Sequence, residues 1–143
     1  MIVRVKKLSP DAKLPKLEHE HDSGFDLYSN ETVSLKPLER KLVATGIAVA
    51  IPEGFEGQVR PKSGLAITSG ITVLNTPGTI DSGYRGEIKA IMINLSDKEY
   101  VVEKGKKIAQ LVFAKVEHPQ LEESEELDGT KRGEGGFGST GLH

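Results

Sequence analysis

The chain has 143 residues, a length that fits one domain able to bury a true core. Apolar residues make up 36% and charged residues 28%, no apolar run approaches the ~18 residues of a membrane helix, and the opening MIVRVKKLSP lacks the features of a secretory signal. With no cysteine and a net charge of −2, the composition argues against disulfides, thiolate metal sites and global attraction to nucleic acid, and the expected setting is cytoplasmic.

Short stretches of alternating apolar residues run from the N-terminus to residue 117. Ile2-Val3-Arg4-Val5 is the first. In DSGFDLYS (22–29), Asp26 stands between Phe25 and Leu27, so on a strand it points to the face opposite them. RKLVATGIAVAIP (40–52) places Ile47, Val49 and Ile51 on one face at period two. After Glu56–Arg60 comes the one plausible helix, from Ser63 to about Thr68, with Ser63 as the expected cap and Leu65, Ala66 and Ile67 as the expected buried side. Ile71–Asn75, Glu87–Leu95, Tyr100–Glu103 and Lys107–Val116 complete the set. Turn signals separate the strands at Pro52-Glu53-Gly54, Pro77-Gly78, Asp81-Ser82-Gly83, Ser96-Asp97 and Lys104-Gly105. Such short, evenly spaced strands predict an all-β sandwich, jelly roll or barrel over residues 1–121. From residue 122 an acidic run, EESEELD, gives way to GTKRGEGGFGSTGLH. With six glycines between positions 129 and 141, this segment cannot hold a core. It is read as a linker and flexible arm, 122–143. A disordered tail is the plainer alternative, but Arg132, Phe137, Ser139 and Thr140 are groups that a closing lid would use.

Five patches carry candidate chemistry. DSGFDLYS alone reads as an ordinary strand. RPKSGLA (60–66) sets two cations, a hydroxyl and a glycine at the expected helix start, an arrangement suited to an anion and equally to a serine-capped turn. NTPGTIDSGYRGEIK (75–89) is the most informative. An aspartate on a tight hairpin beside Tyr84 and Arg85 can orient a water and accept its proton, the positioning that phosphoryl transfer requires; a turn-forming Asp-Ser-Gly is the alternative. In GKKIAQLVF (105–113), Gln110 faces away from Ala109 and Leu111, as a half-exposed strand glutamine or as a group holding water or a phosphate oxygen. RGEGGFGSTG (132–141) has glycines at dinucleotide-motif spacing, but no βαβ unit surrounds it. Its successive amides still suit phosphate. His19-Glu20-His21 lacks metalloprotease spacing and reads as solvated surface. A zinc deaminase would need cysteines that the chain lacks.

Together and in this order, the five patches resemble the five motifs of the trimeric dUTP pyrophosphatase family over residues 22–141. The resemblance implies a jelly-roll-like β-barrel or sandwich (the dUTPase-like β-clip) with one short helix after Ser63. It also implies a homotrimer sharing its active sites and hydrolysis of dUTP to dUMP and pyrophosphate with Mg²⁺, which keeps uracil out of DNA and supplies dUMP for dTMP synthesis. On matching positions it implies Asp81 as general base, Tyr84 packed under the sugar to exclude a 2′-hydroxyl, and Asn75 with the backbone of Gly78, Thr79 and Ile80 reading uracil. Lys89 would line the same pocket. Lys62, Ser63 and Gly64 would hold phosphates, Gln110 the water or the α-phosphate, and Asp26 the magnesium through its water shell, which suits an ion that keeps several waters. Phe137 would stack on uracil, Arg132 would reach the γ-phosphate, and Gly138, Ser139 and Thr140 would complete the cradle. Lys62 and Lys107 stand where the family usually has arginine, so a planar bidentate fork is replaced by a point charge. Neither a nucleic acid nor a membrane is an expected partner. The dCTP deaminases, which share the fold, match less well, and a dUTP-binding regulator is a reading from another class that no residue favours.

Overall fold

A computed structural model describes residues 1–141, and among these the chain is all-β apart from one short helix. Strands are numbered in chain order. The largest sheet has the order β2-β11-β6-β8 and is built from β2 (Phe25–Tyr28), β11 (Lys107–Lys115), β6 (Phe55–Arg60) and β8 (Gly78–Ile80). A second sheet, β4-β9-β7, joins β4 (Arg40–Ala44), β9 (Lys89–Asn94) and β7 (Ile71–Val73). Two ribbons pair β1 (Arg4–Lys7) with β5 (Ile47–Ala50) and β10 (Tyr100–Val102) with β3 (Val33–Leu35). Every named pair is antiparallel. None of the four sheets closes on itself, so the fold is the sandwich of the expected alternatives and not the barrel.

Alternation explains which faces meet. Leu27, Val59 and Leu111 are buried on one side of the large sheet, and Val43, Ala90 and Met92 on one side of the other. With Leu35, Ile47, Ile71, Ile88 and Ile108 they form the shared core, each large aliphatic contributing roughly 1.5–3 kcal/mol by leaving water.

Four local expectations are corrected. The stretch 40–52 is two strands and not one, because Gly46 turns the chain at φ +71°. Gly78, expected in a turn, begins β8, with Gly78, Thr79 and Ile80 in register with Val59, Gln58 and Gly57. The helix, α1 (Ser63–Ser69), is capped by Lys62 without a side-chain hydrogen bond, so Ser63 is its first residue and does not cap it. No residue of α1 is fully buried: Leu65 packs against the core but Ile67 is 85% exposed. A seven-residue helix has fewer than two full turns, so one side chain can satisfy the core while the opposite side faces out.

The chain leaves the sandwich after β11. Val116 N–H donates to Gly54 O at 2.9 Å, and residues 117–134 are exposed throughout. Of the segment read as linker and arm (122–143), residues 142 and 143 lie outside the described residues.

Candidate active site

The sequence-derived site residues fall into three clusters that share no residue.

The first is a pocket of about 440 Å³ between the two sheets, lined by Asn75, Gly78, Thr79, Ile80, Asp81, Tyr84 and Lys89 over an apolar floor of Val59, Val73 and Ala90. β8 delivers the backbone of 78–80, and a turn follows in which Tyr84 N–H donates to Asp81 O at 3.1 Å. The loop is anchored at Ile88, wholly buried, whose N–H donates to Ile47 O and whose carbonyl accepts from the Thr45 hydroxyl. Tyr84 Oη donates to Glu87 O at 2.9 Å, and the ring lies so close to Gly86 that a Cβ there would sit 2.6 Å from Cζ. Arg85 Nη1 closes the turn onto the carbonyls of Ser82 and Tyr84. A Cβ on Gly78 would stand 3.3 Å from Val59 Cβ and 3.4 Å from Asn75 Nδ2, so the glycine leaves a flat wall against the amide. Glu87, 3.8 Å from Lys89 Nζ, and Leu42 also line this pocket and were not anticipated. Leu42 is an outward position of β4 opposite Ile91; its exposure beside a polar pocket is a signal only once the register is known.

The second cluster is a small polar pocket of about 270 Å³ holding Asp26, Lys62, Ser63 and Gln110 with the 18–24 loop. Asp26, Gln110 and Arg60 are consecutive cross-strand partners on the outer face of the large sheet. A bulge between Lys107 and Ala109 adds one residue to β11. Without it, Lys107 and Gln110, three apart, would point to opposite faces; with it, both address Asp26's side of the sheet. Asp26 is 3% exposed, yet it is not a free metal ligand: Lys62 Nζ bonds Oδ1 and Lys107 Nζ lies 2.8 Å from Oδ2. Lys107 also lies 2.8 Å from Glu18 Oε2, a partner that nothing in the loop sequence announced. Gln110 Nε2 donates to Pro61 O at 2.9 Å, and Gly24 packs against its amide so closely that no Cβ fits. At Gly64 nothing lies within 4 Å of a Cβ, leaving the approach to Lys62 and Ser63 open.

Burial opposes ionisation of Asp26, but Lys107 and then Lys62 outweigh it and hold the carboxyl below the usual carboxylate range. The same contacts, with Asp26 first and Glu18 second, push Lys107 up. A depressed carboxyl stabilises the fold above its unfolded value, about 3.9, and that contribution is lost as pH falls through the folded value. The raised lysine contributes fully below its unfolded value of about 10.4 and loses the contribution only at still higher pH. Urea unfolding between pH 2 and 7 should therefore show a stability decline below about pH 4 that is shallower in Asp26→Asn. Equal slopes in the two proteins would show that the pair contributes nothing.

The third cluster is the arm. Turns fold it locally: Gly135 N–H to Arg132 O, Ser139 N–H to Gly136 O, Gly141 N–H to Gly138 O, with Arg132 Nε on Gly135 O at 2.8 Å. Arg132, Phe137, Gly138, Ser139 and Thr140 line one hollow, and Phe137 is fully exposed at φ +52°.

One chain does not bring the three together. Asp81 follows Ile80, which faces Gly57, while Gln110 faces Arg60. Four residues along β6 at ~3.3 Å and two strand spacings of ~4.8 Å put Asp81 and Gln110 roughly 16 Å apart. Among the described residues no group of three or more His, Cys, Asp or Glu converges on a metal position, and no helix is long and apolar enough to cross a membrane.

Comparison with known proteins gives these clusters a context. The dUTPase family model matches residues 10–141. The deoxyuridine 5′-triphosphate nucleotidohydrolase of Clostridium kluyveri is 56% identical over 142 residues, covering 99% of each chain. That of a Hydrogenobaculum species is 54% identical over 143 residues with the same coverage. Among solved structures, the dUTPase of Staphylococcus bacteriophage 80alpha with dUpNHpp is 34% identical, covers 99% of each chain and superposes with a TM-score of 0.92. A variant dUTPase from phage phi11 of S. aureus, described as coordinating a structural Mg(II) ion, is 29% identical with a TM-score of 0.84, covering 90% of this chain and all of that one.

Proposed function

The chain belongs to the dUTPase family and is an enzyme that hydrolyses dUTP to dUMP and pyrophosphate, and we propose that its three residue clusters meet only between the chains of a homotrimer, each active site drawing on more than one protomer. What carries this reading is the separation inside one chain: a base-sized pocket holding Asp81, and a small polar pocket holding Lys62, Ser63 and Gln110 roughly 16 Å of sheet away. Exposed apolar residues support it. Ile67 stands out from α1, Leu42 lines the Asp81 pocket, and Leu74 lies between two residues that line it; burying these on a neighbouring copy would bring the two pockets together. A heterologous contact of that kind closes after three copies as readily as any ring. A measured solution mass of three chains is the expected result.

In the assembled site uracil lies in the Asp81 pocket. Asn75 and the amides and carbonyls of 78–80 pair with its edge as a complementary base would. Exclusion of the thymine methyl falls to the tight backbone wall of this pocket. Tyr84, pinned to Glu87 and backed by Gly86, packs under the deoxyribose where a 2′-hydroxyl would clash. Lys89 lines the same pocket. The triphosphate runs to Lys62, Ser63 and Gly64 of another protomer, with Gln110 fixing the attacking water or an α-phosphate oxygen. The water oxygen attacks the α-phosphorus while its proton passes to Asp81. The bond from the α-phosphorus to the bridging oxygen breaks, and pyrophosphate leaves with the electron pair. The arm closes over the product-forming complex, Phe137 on uracil, Arg132 on the γ-phosphate and Gly138, Ser139 and Thr140 around the rest, excluding bulk water.

A divalent cation fits this chain on restricted terms. Asp26 shares the small pocket of Lys62, Ser63 and Gln110 with Glu18 and Asp22, and it is the carboxylate there whose oxygens are engaged by both lysines. Asp26 would hold Mg²⁺ through coordinated water and not directly, and the ion would neutralise charge on the triphosphate when bound. The domain division (a sandwich over 1–121, an arm over 122–143) and a cytoplasmic setting belong to the same proposal, supported by the exposed course of the chain after Val116 and by the absence of cysteine.

Pyrophosphate release from dUTP, dTTP, dCTP and UTP with and without Mg²⁺ tests the reading. Release from dUTP at a kcat/KM at least 10³-fold above the other three is expected. Comparable rates on UTP would remove Tyr84 from its role in sugar selection. Gly24→Ala is a subtler test. The new methyl displaces the Gln110 amide from Pro61, so kcat should fall about tenfold to a hundredfold with little change in KM. An unchanged kcat would mean that Gln110's position does not matter to the chemistry.

A further inference from the structure

Asp26 is one carboxylate with two ammonium groups, and the two are not held alike. Lys107 is bound from both sides, 2.8 Å from Asp26 Oδ2 and 2.8 Å from Glu18 Oε2. Lys62 has Asp26 alone as an acidic partner, its side chain is 29% exposed, and it faces the small pocket that also holds Ser63 and Gln110. Its backbone is extended at the entrance to α1 and its side chain caps nothing, so only the Asp26 contact fixes its head group. With two lysines on it, both oxygens of the carboxylate are taken: Lys62 holds Oδ1 and Lys107, shared with Glu18, holds Oδ2, so the four charges balance. A bare divalent cation approaching Asp26 must displace the Lys62 ammonium from Oδ1 and also give up part of its hydration, although Glu18 and Asp22 line the same pocket. A triphosphate meets the same groups as an attractive site.

We propose that Lys62 is a movable counter-ion that guards Asp26: it occupies Oδ1 while the site is empty, crosses to a phosphate oxygen when nucleotide arrives, and so makes the metal's place at Asp26 available only with nucleotide bound. Lys107 stays behind because Glu18 holds its other side. Lysine at position 62 suits this role better than arginine. Its compact charge sits on a flexible stem that can change partners, whereas a guanidinium fork would grip a carboxylate or a phosphate with two parallel bonds. By linkage, whatever factor nucleotide adds to metal affinity at Asp26, metal adds to nucleotide affinity. The consequence is an enzyme that does not fill Asp26 with free cation between turnovers. The inference rests on the reading of Asp26 as the carboxylate nearest the metal.

Mn²⁺ is the probe, its free concentration followed by electron paramagnetic resonance in nucleotide-free protein. The parent is expected to bind it weakly, and Lys62→Gln at least tenfold more tightly. Asp26→Asn placed in the Lys62→Gln protein should remove the gain. No gain in Lys62→Gln, or a gain that survives Asp26→Asn, would overturn the proposal. The unaltered chain gives a second reading: with ¹⁵N-labelled lysine, the Lys62 Nζ signal should move on adding Mg²⁺ with dUpNHpp and stay in place with Mg²⁺ alone, while Lys107 stays in place in both. Movement of Lys62 with Mg²⁺ alone refutes the guarding role. Hydrolysis of dUTP that needs no divalent cation would instead remove the underlying metal reading, an outcome distinct from either failure above.

Discussion

Asp81→Asn is expected to lower kcat/KM for dUTP by about 10³-fold, within the 10²–10⁴ that a positioned general base supplies. The substitution keeps the shape of the side chain and removes only its capacity to take a proton. Asp81 lies at the exposed end of β8, outside the core, so no cavity or unpaired buried charge follows from it. Its backbone carbonyl still accepts from Tyr84 N–H, and the anchor at Ile88 is untouched, so the pocket that reads uracil should persist. Affinity for dUpNHpp should consequently stay within severalfold of the parent while turnover collapses. That split between binding and chemistry separates a base from a mere contact. If turnover stays within tenfold of the parent, the base is another group or bulk water, and the hairpin at 81–84 serves shape alone.

How much of this could be read in the residues depends on the range of the interaction concerned. The period-two runs at Ile47-Val49-Ile51 and through Lys107–Val116 name strands because alternation is local, and all-β follows from their number and spacing. Partners are not local. Nothing near Asp26 says that Lys62 and Lys107, 36 and 81 positions later, both reach it. That outcome needs β2 beside β11, α1 starting at the end of β6, and a one-residue bulge that turns Lys107 to the same face as Gln110. Phe25-Asp26-Leu27 in isolation reads as an ordinary strand for the same reason.

The errors are instructive in the same terms. Ser63 has the chemistry of a cap, yet the helix begins one residue earlier than a Ser63 cap requires, because Lys62 keeps extended backbone and its head group is engaged at Asp26. Ile67, with Leu65 and Ala66, is the apolar side that the sequence offers for burial. Ile67 lies outward because Leu65 is the residue of α1 that packs against the core, and a helix of fewer than two turns leaves the opposite side exposed. Asp81, Tyr84 and Asn75 were legible as a unit since they lie within ten positions and one turn assembles them. Their distance from Lys62 and Gln110 was not, because it depends on sheet order and register.

Removing residues 129–143 is expected to lower kcat/KM by roughly 10³-fold, since under the proposed reading the arm supplies the cation for the γ-phosphate, the stacking face for uracil and the closure against water in one piece. The sandwich should be unaffected: no hydrogen bond of the arm among the described residues reaches the sheets, and Phe137 packs on nothing. The sharper result comes from mixing. Chains bearing Asp81→Asn keep their arms, and truncated chains keep Asp81; each is nearly inactive by itself. If a site draws Asp81 from one protomer and its arm from another, a 1:1 mixture exchanged to random trimers supplies both intact at a chance of one half times one half. About a quarter of parental activity should then return. If Asp81 and the arm of one chain served the same site, or if the protein worked as a monomer, no mixture could contain an intact site and activity would stay at the level of the inactive parents. Recovery is the expected result of the proposed shared site, in which Asp81 already serves phosphate groups of another protomer because it lies roughly 16 Å from its own chain's Gln110. That distance does not shrink within a rigid sandwich, so under the proposed reading Asp81 and Gln110 meet at one phosphorus only from different chains.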